Sequence, residues 1–337
     1  MKRALLVIFL FLFVFSSCSS KESFQSRQFY VMDTLAEVRI YEAEGDSEKP
    51  AVIGKQTAEH LETVISATRE ESDTYAFNHA LRTSFSQDFL ELLRLSVSLS
   101  ELTGGCFDAT SGSLIALWKS CEEDKKLPTD SQMKTALDAV GYQKIKLDGD
   151  NVSKTEPSLM LDFGAVGKGY VADKMAYAMK ENGAVCGMIS FISSVTVFGE
   201  REFKIGIRQP DTSGNLCGYI TLCDESLSVS GDYERFYDID GVKYPHILDP
   251  KTGKPSSLLH SVVVVADSGA IADALSTAIF VMGIDEAAML YQSGLLDFEF
   301  LAITDEEMIA SDGFLKQFES RTDSYSLRSL SEYISER

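Results

Sequence analysis

Hydrophobic and polar positions along this chain follow two periods. The stretch "FYVMDTLAEVRIY" alternates as a strand does. Thr57 to Thr68 places Ala58, Leu61, Val64 and Ile65 on one face and predicts an amphipathic helix. A second helix is predicted from Asp88 to Leu102, stopped by Gly104-Gly105. A third lies in "PTDSQMKTALDAVGY", with Thr129 or Asp130 as N-cap and Gly141 at its end. "YQKIKLDGDNV" returns to alternation, with a turn at Asp148-Gly149-Asp150. "LDFGAVGKGYVADKM", from Leu161 to Met175, starts as a short strand and becomes a helix near Gly169 that stops at Asn182-Gly183. Strand-like runs then follow in series: "GMISF", "VTVFG", "FKIGI", "YITLC" and "SLSVS". "FYDIDGVKY" sets Asp240-Gly241 between two alternating runs, a strong hairpin signal. "HSVVVVA" reads as a buried strand. Ser268 caps a helix through Met282, Gly283 ends it, and Asp285 begins another. "FEFLAITDEEMIAS" reads as a last hairpin. Strands in runs with helices inserted predict an α+β fold of mixed, largely antiparallel sheets rather than a regularly alternating parallel one.

The N-terminus changes the picture. Lys2 and Arg3 precede the apolar run "ALLVIFLFLFVF", and "FSSCSSK" follows. A charged start, a short apolar stretch and small residues before a cysteine predict a lipoprotein signal peptide over 1–17. Cys18 would then carry the lipid, residues 18–27 would be a tether, and the protein would be exported and lipid-anchored to a membrane on the periplasmic side. Residues 28–320 read as a single domain and 321–337 as a polar, peripheral tail. With 337 residues and 45% hydrophobic content the chain can bury a large core. Its net charge of -20 argues against nucleic acid as a partner, which needs a basic surface. Cys106, Cys121, Cys186, Cys217 and Cys223 are odd in number and form no CxxC, so they read mostly as small buried hydrophobes rather than thiolate metal ligands.

Three segments carry candidate chemistry. "GAVGKG" lacks the spacing of a P-loop and of a dinucleotide fingerprint, and "DFG" stands without the other kinase motifs. What remains is a glycine turn with exposed N–H groups, a helix N-terminus and Lys168: either a structural strand-to-helix turn or a site for an anion. Asp273 and Thr277, spaced i, i+4, share a helix face. They read either as a local contact or as hard oxygen ligands suited to Mg²⁺. His246 follows the Asp240-Gly241 hairpin and precedes Asp249-Pro250, placed for acid–base work or for ligand contact if it is not simply structural. The four histidines show no zinc spacing.

Taken in order, "TGGCFDATSGSLIALW", "LDFGAVGKGYVADKM", "SVSGDYERFYDIDGVKYPHILDPKTGKP" and "SVVVVADSGAIADALSTAIFVMG" resemble the ApbE family of flavin transferases, with "VMDTLAEVRIY" as a looser opening strand. The resemblance implies an ApbE-like, T-fold-related architecture and a Mg²⁺-dependent enzyme that cleaves the pyrophosphate of FAD. It would move FMN to a threonine or serine of a target redox protein and release AMP. FAD pyrophosphatase activity, or flavin binding without catalysis, are the alternatives within the same resemblance. Asp273 and Thr277 correspond to metal ligands, with the carbonyl of Ala165 as a third; Ser276, where some relatives are acidic, would reach the ion only through water. Met32, Tyr75, Cys106, Phe107, Asp108, Asp162, Lys168 and Leu248 correspond to flavin or adenine contacts, and His246 to a histidine implicated in activity. Two departures stand out. Ile192-Ser193-Ser194 replaces the usual glycine turn, and the connection before Asn78 is short.

Overall fold

The computed structural model of the protein describes residues 24–211, 213–233 and 235–337; the predicted signal peptide and Cys18 lie outside them. Strands β1 (Gln25–Val31) and β2 (Thr34–Ala43) open the chain as a hairpin. Helices α1 (Glu48–Ile65), α2 (Asp73–Asn78), α3 (Gln87–Leu102), α4 (Gly112–Asp124) and α5 (Asp130–Ala139) follow. A small hairpin, β3 (Ile145–Asp148) with β4 (Asn151–Lys154), leads to α6 (Gly167–Lys180). Next come β5 (Ala184–Ser190), β6 (Ser194–Phe198), β7 (Phe203–Arg208), β8 (Leu216–Leu222) and β9 (Ser226–Gly231). The hairpin β10 (Phe236–Ile239) and β11 (Val242–Pro245) precedes β12 (Ser261–Ala266) and the long α7 (Gly269–Ser293). The chain closes with β13 (Glu299–Ile303), β14 (Glu307–Ala310), α8 (Asp312–Gln317), β15 (Phe318–Ser320), β16 (Ser326–Ser329) and α9 (Leu330–Ser335).

The central sheet has nine strands in the order β1-β2-β5-β6-β9-β12-β13-β14-β16. All its pairings are antiparallel except β14 with β16. The α+β, largely antiparallel expectation therefore holds. β12 shows why the sheet sits in the middle of the molecule. Val262 and Val264 face the helical layer of α1, α3, α6 and α7, while Val263 and Val265 face the small sheet β15-β8-β7. A strand covered on both faces reads as an unbroken apolar run. A third, smaller cluster of Leu114, Trp118, Tyr237, Ile239 and Leu248 ties the β10–β11 hairpin to α4 and α5.

Local chemistry explains the element ends. Met32 and Asp33 both have left-handed backbones (φ 53° and 56°), as do Asp240 and Gly241 (φ 52° and 77°). Two such residues in succession match the twist of a tight hairpin. Thr129 and Gln132 form a reciprocal capping box on α5. Gly283 (φ 77°, ψ -179°) breaks α7, at the position where the sequence predicts one helix to stop and another to start. Near that break the Ser256 hydroxyl donates to the Phe280 carbonyl at 3.1 Å. α7 is the one described helix long and apolar enough to cross a membrane. Its buried residues run from Gly269 to Ala288, so here it is a core helix. None of the five described cysteines is in a disulfide, and all but Cys223 are buried.

Three expectations are corrected. Residues beyond 320 are not peripheral: β16 is the edge strand of the central sheet, and Leu330 of α9 is buried. Likewise Gln25 to Arg27, within the predicted tether, already pair with β2. The start of "LDFGAVGKGYVADKM" is not a strand. Met160 makes a single bridge to Ser111, and the helix begins at Gly167, because the Asp162 carboxylate closes a turn onto the Gly164 N–H at 2.8 Å.

Candidate active site

The site is built where α6 crosses the start of α7. Gly169 and Gly269 meet there. A Cβ on Gly169 would fall 1.9 Å from the Gly269 carbonyl oxygen, so only glycine permits the approach. Asp173, one turn further along α6, holds the first turn of α7 in place. Its carboxylate accepts from the N–H groups of Gly269 (2.7 Å) and Ala270 (3.1 Å) and from the Ser268 hydroxyl (2.8 Å). Burial raises the Asp173 carboxyl above its ordinary range despite these donors.

This crossing aims the buried Asp273 back at α6. One carboxylate oxygen accepts from the Gly169 N–H at 3.1 Å, and the other from Ser228 Oγ at 2.9 Å and Ser194 Oγ at 3.4 Å. The Lys168 ammonium stands 3.7 Å from the same Oδ1 and donates to the Gly164 carbonyl at 3.3 Å. Thr277 Oγ1 lies 3.3 Å from Ser230 Oγ. The match has a simple origin: four helical residues rise about 6 Å, close to the roughly 6.6 Å spanned by two strand residues. Asp273 and Thr277 therefore sit over Ser228 and Ser230. Ser276 is fully buried, donates to the Asp273 carbonyl at 2.9 Å and pairs with Ser230 at 2.9 Å. It is a strut between α7 and β9.

The glycine turn behaves differently from the anion cradle that bare N–H groups suggest. Gly164, Val166, Gly167 and Gly169 all donate within the protein, to Asp162, Phe163, Phe163 and Asp273. Their polar hydrogens serve the turn and the carboxylate, and Lys168 is left as the cation. Asn78 pins the strand-like approach to this turn: its side-chain amide donates to the Leu161 carbonyl (2.9 Å) and accepts from the Leu161 N–H (2.7 Å).

His246 reaches the same neighbourhood. Its Nδ1 is 2.9 Å from the Arg235 carbonyl. A carbonyl carries no proton, so Nδ1 is the donor and Nε2 keeps its lone pair. Burial, with the charges of Arg235 and Lys168 adding to it, pushes the imidazole down to about 4. The ring is neutral at pH 7 and in its basic form.

The other predicted residues divide into a near and a supporting set. Met32 packs at the start of α6, its methyl 3.2 Å from where a Gly167 Cβ would be, and its N–H donates to Glu62 at 2.7 Å. Asp162 closes the glycine turn. Tyr75 packs against His79 with ring centroids 4.1 Å apart and planes tilted by 38°. Phe107 and Leu248 are buried. Asp108 accepts from Thr110 N–H and Oγ and from the Tyr142 N–H, and burial raises its carboxyl. Cys106 receives a hydrogen bond from Lys251 at 3.3 Å, and burial raises its thiol. Ile192 takes a left-handed backbone (φ 64°) with its side chain 70% exposed, a rare state for a β-branched residue. Ser228 and Ser230 were not singled out from the sequence, although "SLSVS" sets serine at every second position of a strand, and Ser194 was noted only as part of the replaced glycine turn.

The Asp273 carboxylate, the hydroxyls around it and the Gly164 carbonyl across Lys168 are all oxygen donors. Among the described residues no group of three His, Cys, Asp or Glu side chains gathers here or elsewhere, so any ion at the crossing would rest on one carboxylate with neutral oxygens. The donors present suit a hard cation such as Mg²⁺.

Fold and site together define an ApbE-type molecule. The structure superposes on the ApbE protein from Thermotoga maritima with a TM-score of 0.79 and 25% identity, covering 89% of this chain and all of that one. The ApbE family profile matches residues 32–301, and the chain belongs to the ApbE family. Among curated relatives, the FAD:protein FMN transferase of Treponema pallidum is 28% identical over 291 residues, 79% of this chain and 80% of that protein. The enzyme of the same name from Haemophilus influenzae is 28% identical over 293 residues, covering 79% and 85%.

Proposed function

We propose that this protein is an FAD:protein FMN transferase that depends on Mg²⁺ and works on the extracytoplasmic side of a membrane, held there by a lipid on Cys18. The observation that carries the reading is the Asp273 carboxylate set between Gly169, Ser228 and Lys168 at the α6–α7 crossing. The names of the relatives give the reaction class.

Asp273, Thr277 and the Ala165 carbonyl would hold the ion. Bound there, it would supply Lewis-acid polarisation of a phosphoryl oxygen. The chain's own residues do the rest. Lys168 offsets the charge of the FAD pyrophosphate in a strongly acidic protein. The serine row of β6 and β9 fixes the carboxylate. Either His246, through its free Nε2, or a nearby carboxylate takes the proton of the acceptor hydroxyl. The acceptor oxygen then forms a bond to the FMN phosphorus as the bond to AMP breaks, and AMP leaves with the electron pair. Positioning and charge stabilisation carry most of such a displacement.

The test is to incubate the protein with FAD, Mg²⁺ and a peptide bearing a threonine or serine flavinylation site. Covalent FMN on the peptide, with AMP released, is the expected result. Free FMN and AMP without peptide modification would replace this reading with pyrophosphatase activity.

A further inference from the structure

We infer that Lys168 is a built-in stand-in for the divalent ion, occupying the ion's place until metal arrives and then swinging out to meet the FAD phosphates. The inference rests on the metal-dependent reading above and adds an order of events to it.

The observation is the seat of the ammonium. Lys168 Nζ lies 3.3 Å from the Gly164 carbonyl oxygen and 3.7 Å from Asp273 Oδ1, which puts those two oxygens within 7.0 Å of each other. One comes from the glycine turn and the other from α7. These are the same two elements, and in Asp273 the same side chain, assigned to the ion. The second element of the assignment is the carbonyl of Ala165, the next residue after Gly164.

The reason for such a device is electrostatic. The Asp273 side chain is only 6% exposed, and a buried carboxylate without a counter-charge is costly. Its other neighbours are neutral donors: Gly169 N–H, Ser194 and Ser228. Lys168 supplies the positive charge. Lysine suits a temporary role because its ammonium sits on a flexible four-carbon stem rather than in a rigid planar fork. Its side chain is 21% exposed, at the second residue of α6, so a path to solvent is open.

Two cations cannot share one carboxylate oxygen at these distances without strong repulsion. Metal entry therefore displaces the ammonium, and the freed lysine becomes available to the pyrophosphate. Apparent metal affinity in the unmodified protein is lowered by the fraction of time the lysine spends out of the site.

The experiment uses Mg²⁺ alone, without FAD, on the mature protein and on Lys168→Met. Calorimetric titration should show Mg²⁺ binding about tenfold tighter in K168M if the lysine-out state is populated about one part in ten. Thermal unfolding should show K168M less stable than the unmodified protein in EDTA and equal to it at saturating Mg²⁺. Unchanged or weaker Mg²⁺ binding in K168M overturns the inference while leaving metal dependence intact. So does tighter binding with unchanged stability in EDTA and raised stability in Mg²⁺, which is the signature of distant repulsion rather than occupancy. Absence of Mg²⁺ binding in both proteins overturns the inference together with the metal-dependent reading. Should K168M fail to fold, the unmodified protein still decides the matter. Reductive methylation of Lys168, read by mass spectrometry, should increase when Mg²⁺ is added; no increase, or a decrease, overturns the inference.

Discussion

Two carboxylates flank the α6–α7 crossing, Asp173 on α6 and Asp273 on α7, and each reaches across to the other helix. Asp173 accepts three hydrogen bonds at the start of α7, from the Ser268 hydroxyl and the N–H groups of Gly269 and Ala270. Asp273 accepts one backbone N–H, then two serine hydroxyls, and sits beside a lysine ammonium. The first set is mostly fixed main chain, two N–H groups with one hydroxyl. The second is mostly side chains that can rotate or leave, two hydroxyls and an ammonium beside one main-chain N–H. Burial alone does not separate a structural carboxylate from a chemical one; the mobility of its partners does. The same crossing thus has a rigid side that positions and an adjustable side that binds.

The most damaging way to test that division is at the crossing itself. Gly169→Ala would drive a methyl group into the Gly269 carbonyl, 1.9 Å from the ideal Cβ. The helices must separate, at a cost of roughly 3 kcal/mol, and both carboxylates lose their geometry. Urea unfolding and flavinyl transfer should fall together. Near-wild-type behaviour in both would mean that the crossing is not the frame of the site.

Removing one carboxylate at a time separates the two sides. Asp273→Ala should lower FMN transfer by at least about 10²-fold, since even partners one step removed from a metal cost 10- to 100-fold. Far-ultraviolet circular dichroism should keep the native helix signal. Asp173→Ala removes the acceptor of three donors at the first turn of α7. It should lower the unfolding free energy by about 2 kcal/mol and reduce transfer only as far as the folded fraction falls. If Asp173→Ala instead abolishes turnover in a fully folded protein, the contrast between the two groups fails.

Much of this arrangement is written locally in the chain, and the rest is not. The i, i+4 spacing of Asp273 and Thr277, the Asp240-Gly241 hairpin, the break at Gly283 and the doubly covered "SVVVVA" strand are each decided by residues close in sequence. The start of α1 is not: helix begins at Glu48, nine residues before Thr57, through Pro50 and Gly54. Pro50 falls in the first turn, where its missing N–H is tolerated. Gly54 is there because a Cβ would lie 2.6 Å from the sulfur of Met179 in α6, a contact no local pattern reveals. The polar edge strand β16 reads as tail because its outer side faces water. Its attachment comes from partners further back in the chain: backbone pairing with β14, and Arg328 bonded to Glu307. The serine row illustrates the middle case. Ser226, Ser228 and Ser230 form a polar stripe in a buried strand, a signal visible in the alternation, but the identity of the carboxylate above them needs the tertiary fold.

The smallest predicted effect concerns histidine, where the same division between a chemical and a structural group recurs with opposite sign. His246 is pushed down to about 4, chiefly by burial. His260 lies between the carboxylates of Asp232 and Asp305, each at 2.7 Å, and these outweigh its burial to raise it above the ordinary value. For His246 the unfolded chain takes up a proton first as pH falls from about 6.5. The protein therefore loses stability between there and about 4, and keeps that contribution above pH 6.5. For His260 the folded protein holds its proton longer. Its contribution is complete below about pH 6.5 and is lost as pH rises through the raised folded value. Urea unfolding across pH 4 to 9 (about that range, set by the histidine reference value) on His246→Gln and His260→Gln, each subtracted from the unmodified protein, isolates the two terms. The His246 difference should change on the acid side and level off above neutrality. The His260 difference should change on the neutral and alkaline side. If both differences change over one pH window, the two rings do not sit in the opposed environments described, and the basic Nε2 assigned to His246 loses its support.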